Sequence, residues 1–96
     1  MLKLVISNST IINCDLYRFV IDKISLGIGD TAYQINAYSV FNNVVTGIAT
    51  YSSENSAKCF ILALAEFMNK VPQGAVNYVS VLTVAAKMEG GDKVCE

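Results

Sequence analysis

An α+β domain, with an antiparallel sheet of four to five strands and helices on one of its faces, is predicted by three observations. Leu2, Leu4 and Ile6 alternate with Lys3, Val5 and Ser7, the period of two that marks a strand with one face inward. Residues 54–70 carry apolar side chains at helical spacing between a serine pair and Pro72. Two β-rich runs flank Asn42-Asn43, and asparagine tolerates the positive φ angles of a two-residue hairpin turn.

After the first strand comes the turn cluster Asn8-Ser9-Thr10. Residues 11–25 carry two conflicting signals. Asp15, Arg18, Asp22 and Ser25 recur as the polar stripe of a helix, with Ile12, Leu16, Phe19, Val20 and Ile24 opposite, Asn13 or Asp15 as a cap and Gly27 as a stop. Isoleucine, valine, tyrosine and phenylalanine favour a strand by propensity. The stripe makes helix the expectation; strand is the alternative.

Gly27, Gly29 and Asp30 form the next turn. Strands are predicted over Thr31–Phe41 and Val44–Tyr51, with Phe41 opposite Val44, Val40 opposite Val45, Tyr38 opposite Gly47 and Gln34 opposite Tyr51. Alternation then sends Tyr33, Ile35, Ala37, Phe41, Val44 and Ile48 to the core. Ser52 or Ser53 caps a helix from Glu54 to Lys70, whose buried stripe is Ala57, Phe60, Ile61, Leu64, Phe67 and Met68. Ala75 to Met88 reads as a long β-type run. The domain is set at residues 1–88, and 89–96 at a polar C-terminal tail. The order βαββαβ is the split arrangement of ferredoxin-like domains. With a strand at 11–25, it becomes an antiparallel sheet crossed by one helix.

Composition narrows the function. Apolar residues make up 53% of the 96 and charged ones 16%, against roughly 45–50% and 25% in an ordinary globular chain. A chain this small has little interior in which to hide the surplus, so part of it is expected in a homo-oligomer, a dimer first, or in another partner interface. Seven basic and eight acidic residues, unclustered, argue against a nucleic-acid binder. Cys14, Cys59 and Cys95 form no CxxC, and histidine is absent, so neither a metal site nor a cofactor is expected, and the thiols are expected to be reduced. No segment resembles a signal peptide, and the longest apolar run, Cys59 to Ala65, is too short to span a bilayer. A cytoplasmic protein with no membrane contact is the expectation, and the sequon Asn8-Ser9-Thr10 is discounted accordingly.

Catalysis is not expected. The candidate acids and bases are Asp15, Asp22, Asp30, Glu54 and Glu66, with Arg18, Lys23 and Lys58 as partners. Asp15, Arg18 and Asp22 would share a helical face as ordinary surface ion pairs. Without histidine no Ser–His or Cys–His nucleophile can be built. Gly27-Ile28-Gly29-Asp30 lacks a phosphate-loop pattern and precedes a strand, so it reads as a turn. Thr46-Gly47-Ile48-Ala49-Thr50-Tyr51 has the glycine and alanine of the third strand of the RNA-recognition motif. It lacks that strand's leading basic residue and has Ile48 and Thr50 in place of its base-stacking aromatics.

What remains is the sheet face turned away from the helices. Tyr38, Val40, Val45, Tyr51, Val79 and Val81 are the predicted partner-binding residues, with Val5 beside them and Lys3, Gln34, Asn36, Asn77 and Thr83 interspersed; valines and tyrosines ringed by amides suit a protein-binding surface. The expected function is a non-catalytic protein–protein interaction module. An accessory or inhibitor protein of viral or mobile-element type that blocks a host protein fits by association, since short motif-free chains rich in Asn and Ile recur there. A small-molecule or peptide sensor is the alternative, and single-stranded nucleic-acid binding a third reading.

Overall fold

The computed structural model describes residues 1–89. The elements run β1 (Leu2–Ser7), β2 (Thr10–Asn13), a 3-10 turn (Cys14–Leu16), β3 (Tyr17–Gly27), β4 (Asp30–Ser39), β5 (Val45–Tyr51), α1 (Glu54–Asn69), β6 (Asn77–Ser80) and α2 (Val81–Glu89). The class is α+β, as expected. The order is not βαββαβ, because five strands precede the first helix. They form two three-stranded sheets, β2-β1-β6 and β3-β4-β5. All pairings are antiparallel except β1 with β6.

Residues 11–25 are strand and turn, not helix. Arg18 and Asp22 are four apart, a spacing that suits a helical turn and a strand face equally well. Their neighbours break the tie. Tyr17, Phe19 and Ile21 pack on the core, while Arg18, Val20 and Asp22 alternate to the other side. Ten residue pairs with β4, from Tyr17↔Ser39 to Gly27↔Asp30, outweigh any local helical preference. Asp15 is set apart in the 3-10 turn, where its N–H donates to the Asn13 side chain at 3.1 Å.

The two-residue hairpin turn expected at Asn42-Asn43 is found instead between β3 and β4. The tight connection is Ile28-Gly29, where Gly29 has φ +79°, a conformation that costs glycine little. The Asn42-Asn43 turn is looser. No non-glycine residue among those described has positive φ, so a type I′ turn is excluded there. Instead, the Val44 N–H donates to Asn42 Oδ1 at 2.9 Å and the Phe41 N–H to Ser39 Oγ at 3.2 Å, local bonds that compete with the ladder. The strands end at Ser39 and Val45. Tyr38 faces Val45 and Asn36 faces Gly47, and a bulge then brings Ile35 opposite Ala49 and Gln34 opposite Thr50. Phe41 and Val44, expected in the core, are consequently exposed.

α1 follows the sequence closely. Ser53 Oγ accepts from the Ser56 N–H at 3.1 Å, capping one of the orphan donors of the first turn. Ala57, Phe60 and Leu64 are buried, and Ile61, Phe67 and Met68 pack beside them. The run from Ala75 to Met88 is mostly not strand. β6 ends at Ser80, whose Oγ accepts from the Thr83 N–H at 3.1 Å, starting α2. Val84 is fully buried there.

α1 packs on β3, β4 and β5, while α2 packs on β1, β6 and α1. One core cluster joins both sheets through Leu4, Ile35, Phe60, Leu64 and Val84, and the Tyr51 ring lies 6.1 Å from that of Phe60. The radius of gyration is 13.7 Å, against about 12.5 Å for a compact chain of this length. Leu26 and Ile28 are exposed at the tip of the long β3–β4 hairpin. Cys95 and most of the predicted tail lie outside the described residues.

Candidate functional site

The β3-β4-β5 sheet buries one face against α1 and leaves the other without a described helix. Register decides what stands on that open face. Arg18 pairs with Tyr38, Val20 with Asn36, and Asp22 with Gln34, while β5 brings Val45 beside Tyr38 and Gly47 beside Asn36. Val20 and Val45 therefore stand beside a polar centre.

Asp22 organises that centre. Its Oδ2 accepts from Asn36 Nδ2 and from Tyr38 Oη, each at 2.7 Å, short distances typical of donors to a charged acceptor. The Asn36 amide first and the Tyr38 hydroxyl second hold the Asp22 carboxyl below its ordinary 3.8. Conversely, donation to Asp22 pushes the Tyr38 phenol above its ordinary 10.0. Both donors use Oδ2, so the lone pairs of Oδ1 stay available for a further donor. Gly47 leaves room over the neighbouring strand: a Cβ there would stand 3.0 Å from Gln34 Nε2 and 3.7 Å from Asn36 Oδ1. Only a residue without a side chain lets the Gln34 amide lie across β5 undisturbed.

Of the predicted partner-binding residues, Tyr38, Val40 and Val45 belong to this open side, and Val40 and Val45 are exposed. Arg18, Tyr38, Ser39 and Val40 line a shallow cavity of about 310 Å³ at its end. The other three belong with the core. Val79 is buried, and Tyr51 and Val81 pack against the core cluster. For Tyr51 the reason is the β5 bulge, which shifts the strand's alternation by one residue. For Val81 it is the helix that begins there. Val79 shares a strand face with no other predicted site residue, and its partner Leu4 points to the core.

Sequence reasoning placed Asn36 on this face but missed Arg18 and Asp22 beside it, because it placed 11–25 on a helix. Strand alternation at Phe19 and Ile21 was the signal that would have found them.

Among the other candidates, Glu54 pairs with Lys58 at 3.3 Å and Glu66 with Lys87 at 3.0 Å, both at the surface. The Glu66 carboxylate raises the Lys87 ammonium above its ordinary 10.5. Cys14 is a free, buried thiol, pushed up to about 11 by burial and then by the Asp15 charge. Cys59 is disulfide-bonded, so the expectation of reduced thiols does not extend to it. Among the described residues no group of three or more histidine, cysteine or acidic side chains could hold a metal ion, and no helix is long and apolar enough to cross a membrane.

Fold and site together define a two-sheet α+β domain with an open, polar-centred sheet face. No family model matches the chain, and no curated protein or solved structure is significantly similar to it.

Proposed function

We propose that this chain is a non-catalytic protein–protein interaction module whose docking surface is the open face of β3-β4-β5, seated first on a second copy of itself. The observation that carries this reading is the Asp22–Asn36–Tyr38 network. A carboxylate held by two short hydrogen bonds is fixed in place before any partner arrives, and preorganised polar groups ringed by apolar ones suit the centre of an interface.

Self-pairing is supported by charge. Arg18 and Asp22 stand on the same strand face, four residues apart. A two-fold axis between them sets Arg18 of one copy against Asp22 of the other, and the converse, as an isologous interface requires. The guanidinium would meet the Oδ1 lone pairs that Asn36 and Tyr38 leave unused. Val20 and Val45 would supply the dry area around it. An accessory or inhibitor role follows if a foreign protein offers the same complement and displaces the second copy.

The test is solution mass by light scattering over a concentration series, for the wild type, Val45→Lys and Arg18→Glu. Wild type is expected to reach twice the 10.4 kDa chain mass, and both variants to remain at the chain mass with unchanged circular dichroism. A lysine or a reversed charge desolvated in the seam has no partner. A wild type that stays at the chain mass throughout contradicts the self-pairing reading.

A further inference from the structure

A second binding feature lies at the other sheet. We propose that the outer edge of β6 is a strand-addition site for an extended peptide of a partner protein, one that carries an apolar residue and, two positions on, an acidic one. It involves none of the residues assigned to the docking face above.

β6 is the last strand of β2-β1-β6, so among the described residues one of its edges has no strand beside it. The Asn77 N–H donates to the Met1 carbonyl at 3.0 Å, which turns the Asn77 and Val79 peptide groups toward β1. The alternate residue, Tyr78, therefore turns its N–H and carbonyl to the open side. Natural sheets blunt such edges with proline, lysine or a bulge. Asn77-Tyr78-Val79-Ser80 has none of these, and its pairing with β1 runs without a register shift.

Beside this edge is a cavity of about 680 Å³, within the size range of ligand-binding clefts. Leu2, Phe67 and Val79 give it an apolar floor, and Asn77, Thr83 and Lys70 a polar margin. Among the described residues, Lys70 is the one charged residue lining it. The acid one helical turn before Lys70, Glu66, is paired with Lys87, and a further cation, Lys3, lies 5.7 Å from the Tyr78 ring. Among the described residues the local balance is positive, and the occupant is accordingly acidic. Successive strand residues point to opposite faces, so an apolar side chain in the cavity and an acidic one at Lys70 must be two residues apart. Backbone bonding supplies the affinity and this pair the selection, as in other strand-addition modes.

The probe is an acetylated, amidated Thr-Val-Thr-Glu-Thr peptide, titrated into isotope-labelled protein and followed by amide chemical shifts. Shifts are expected at Val76–Ser80, Phe67, Lys70 and Thr83. Replacing the peptide's glutamate by lysine should weaken binding about fivefold at low salt, and Lys70→Glu should reverse that preference. Tyr78→Pro removes the outward N–H and the exposed ring but no hydrogen bond to β1, a change that an edge strand tolerates, so it should fold and lose the peptide response. A peptide response that persists in Tyr78→Pro, or shifts confined to Arg18, Asp22 and Tyr38, overturns the proposal. So does the absence of any response at millimolar peptide. If Tyr78→Pro lowers the solution mass while Val45→Lys does not, the edge is taken by a second copy, and the peptide proposal is overturned.

Discussion

Replacing Leu82 and Val84 separately by alanine distinguishes a helix from a strand at the end of the described chain. The two residues have the same parity, so in a strand they would share a face and respond alike. In α2 they are about 200° apart around the axis. Val84 is fully buried in the core cluster that joins both sheets, and Leu82 is 81% exposed. Removing two buried methyl-sized groups at Val84 costs about 2 kcal/mol in lost transfer energy and residual cavity. Alanine's better helix propensity recovers about half a kcal/mol of that. For a domain of this size, the net loss of about 1.5 kcal/mol lowers Tm by about 6–12 °C. Leu82→Ala should stay within about 0.5 kcal/mol of wild type. Thermal unfolding followed by far-UV circular dichroism reads both variants. Equal losses, or a larger loss at Leu82, would refute the helix and restore a strand over 81–88.

Three further outcomes follow from the same geometry. The Asp22 carboxyl should titrate below 3.8 by carbon-detected NMR, and Tyr38→Phe should move it upward, since one of its two donors is lost. Because the folded value is depressed, the network's contribution to stability is complete above the ordinary carboxylate range and fades as pH falls through the lowered value; a midpoint unmoved by Tyr38→Phe would show that the hydroxyl does not bond there. Tyr38 runs the other way: its contribution holds below pH 10 and is lost as pH rises through its raised value, so its phenolate should form after that of an ordinary tyrosine in an absorbance titration. Cys14, buried and pushed up to about 11, should resist iodoacetamide in the native protein at pH 8 and react on unfolding, as intact-mass spectrometry would show.

Where local signals agreed, the sequence made the structure legible. β1 alternates cleanly, and α1 combines a serine cap, an acidic first turn, an apolar stripe and a proline stop, all pointing to one helix. The open face was legible only in part: Tyr38, Val40 and Val45 were placed on it, but the alternation that also promised Tyr51 is interrupted by the bulge near Ile48. A bulge depends on pairing with another strand and leaves little trace in one strand's own residues. The helix expected over residues 11–25 failed for a related reason. Arg18 and Asp22 satisfy helical and extended periods at once, and the deciding influence is a partner strand whose facing residues lie 12–20 positions away. Asn42-Asn43 looked like the tighter turn, yet the glycines at 27 and 29 reach positive φ at lower cost. At α2 the cues were present and outweighed: Ser80 as a cap and Ala85-Ala86-Lys87 as helix formers sat behind valines that favour a strand. The Asp22–Asn36–Tyr38 network needed all of this first, because its members come from two strands whose register had to be right.

The self-pairing of the open sheet face is tested most directly by isotope-filtered NOE spectroscopy on a mixture of labelled and unlabelled chains. Contacts between copies are predicted from the Val20 and Val45 methyls to the Tyr38 ring, and from the Arg18 side chain to residues flanking Asp22. Intermolecular contacts elsewhere on the surface, with none at these residues, would contradict the assignment of this face as the interface.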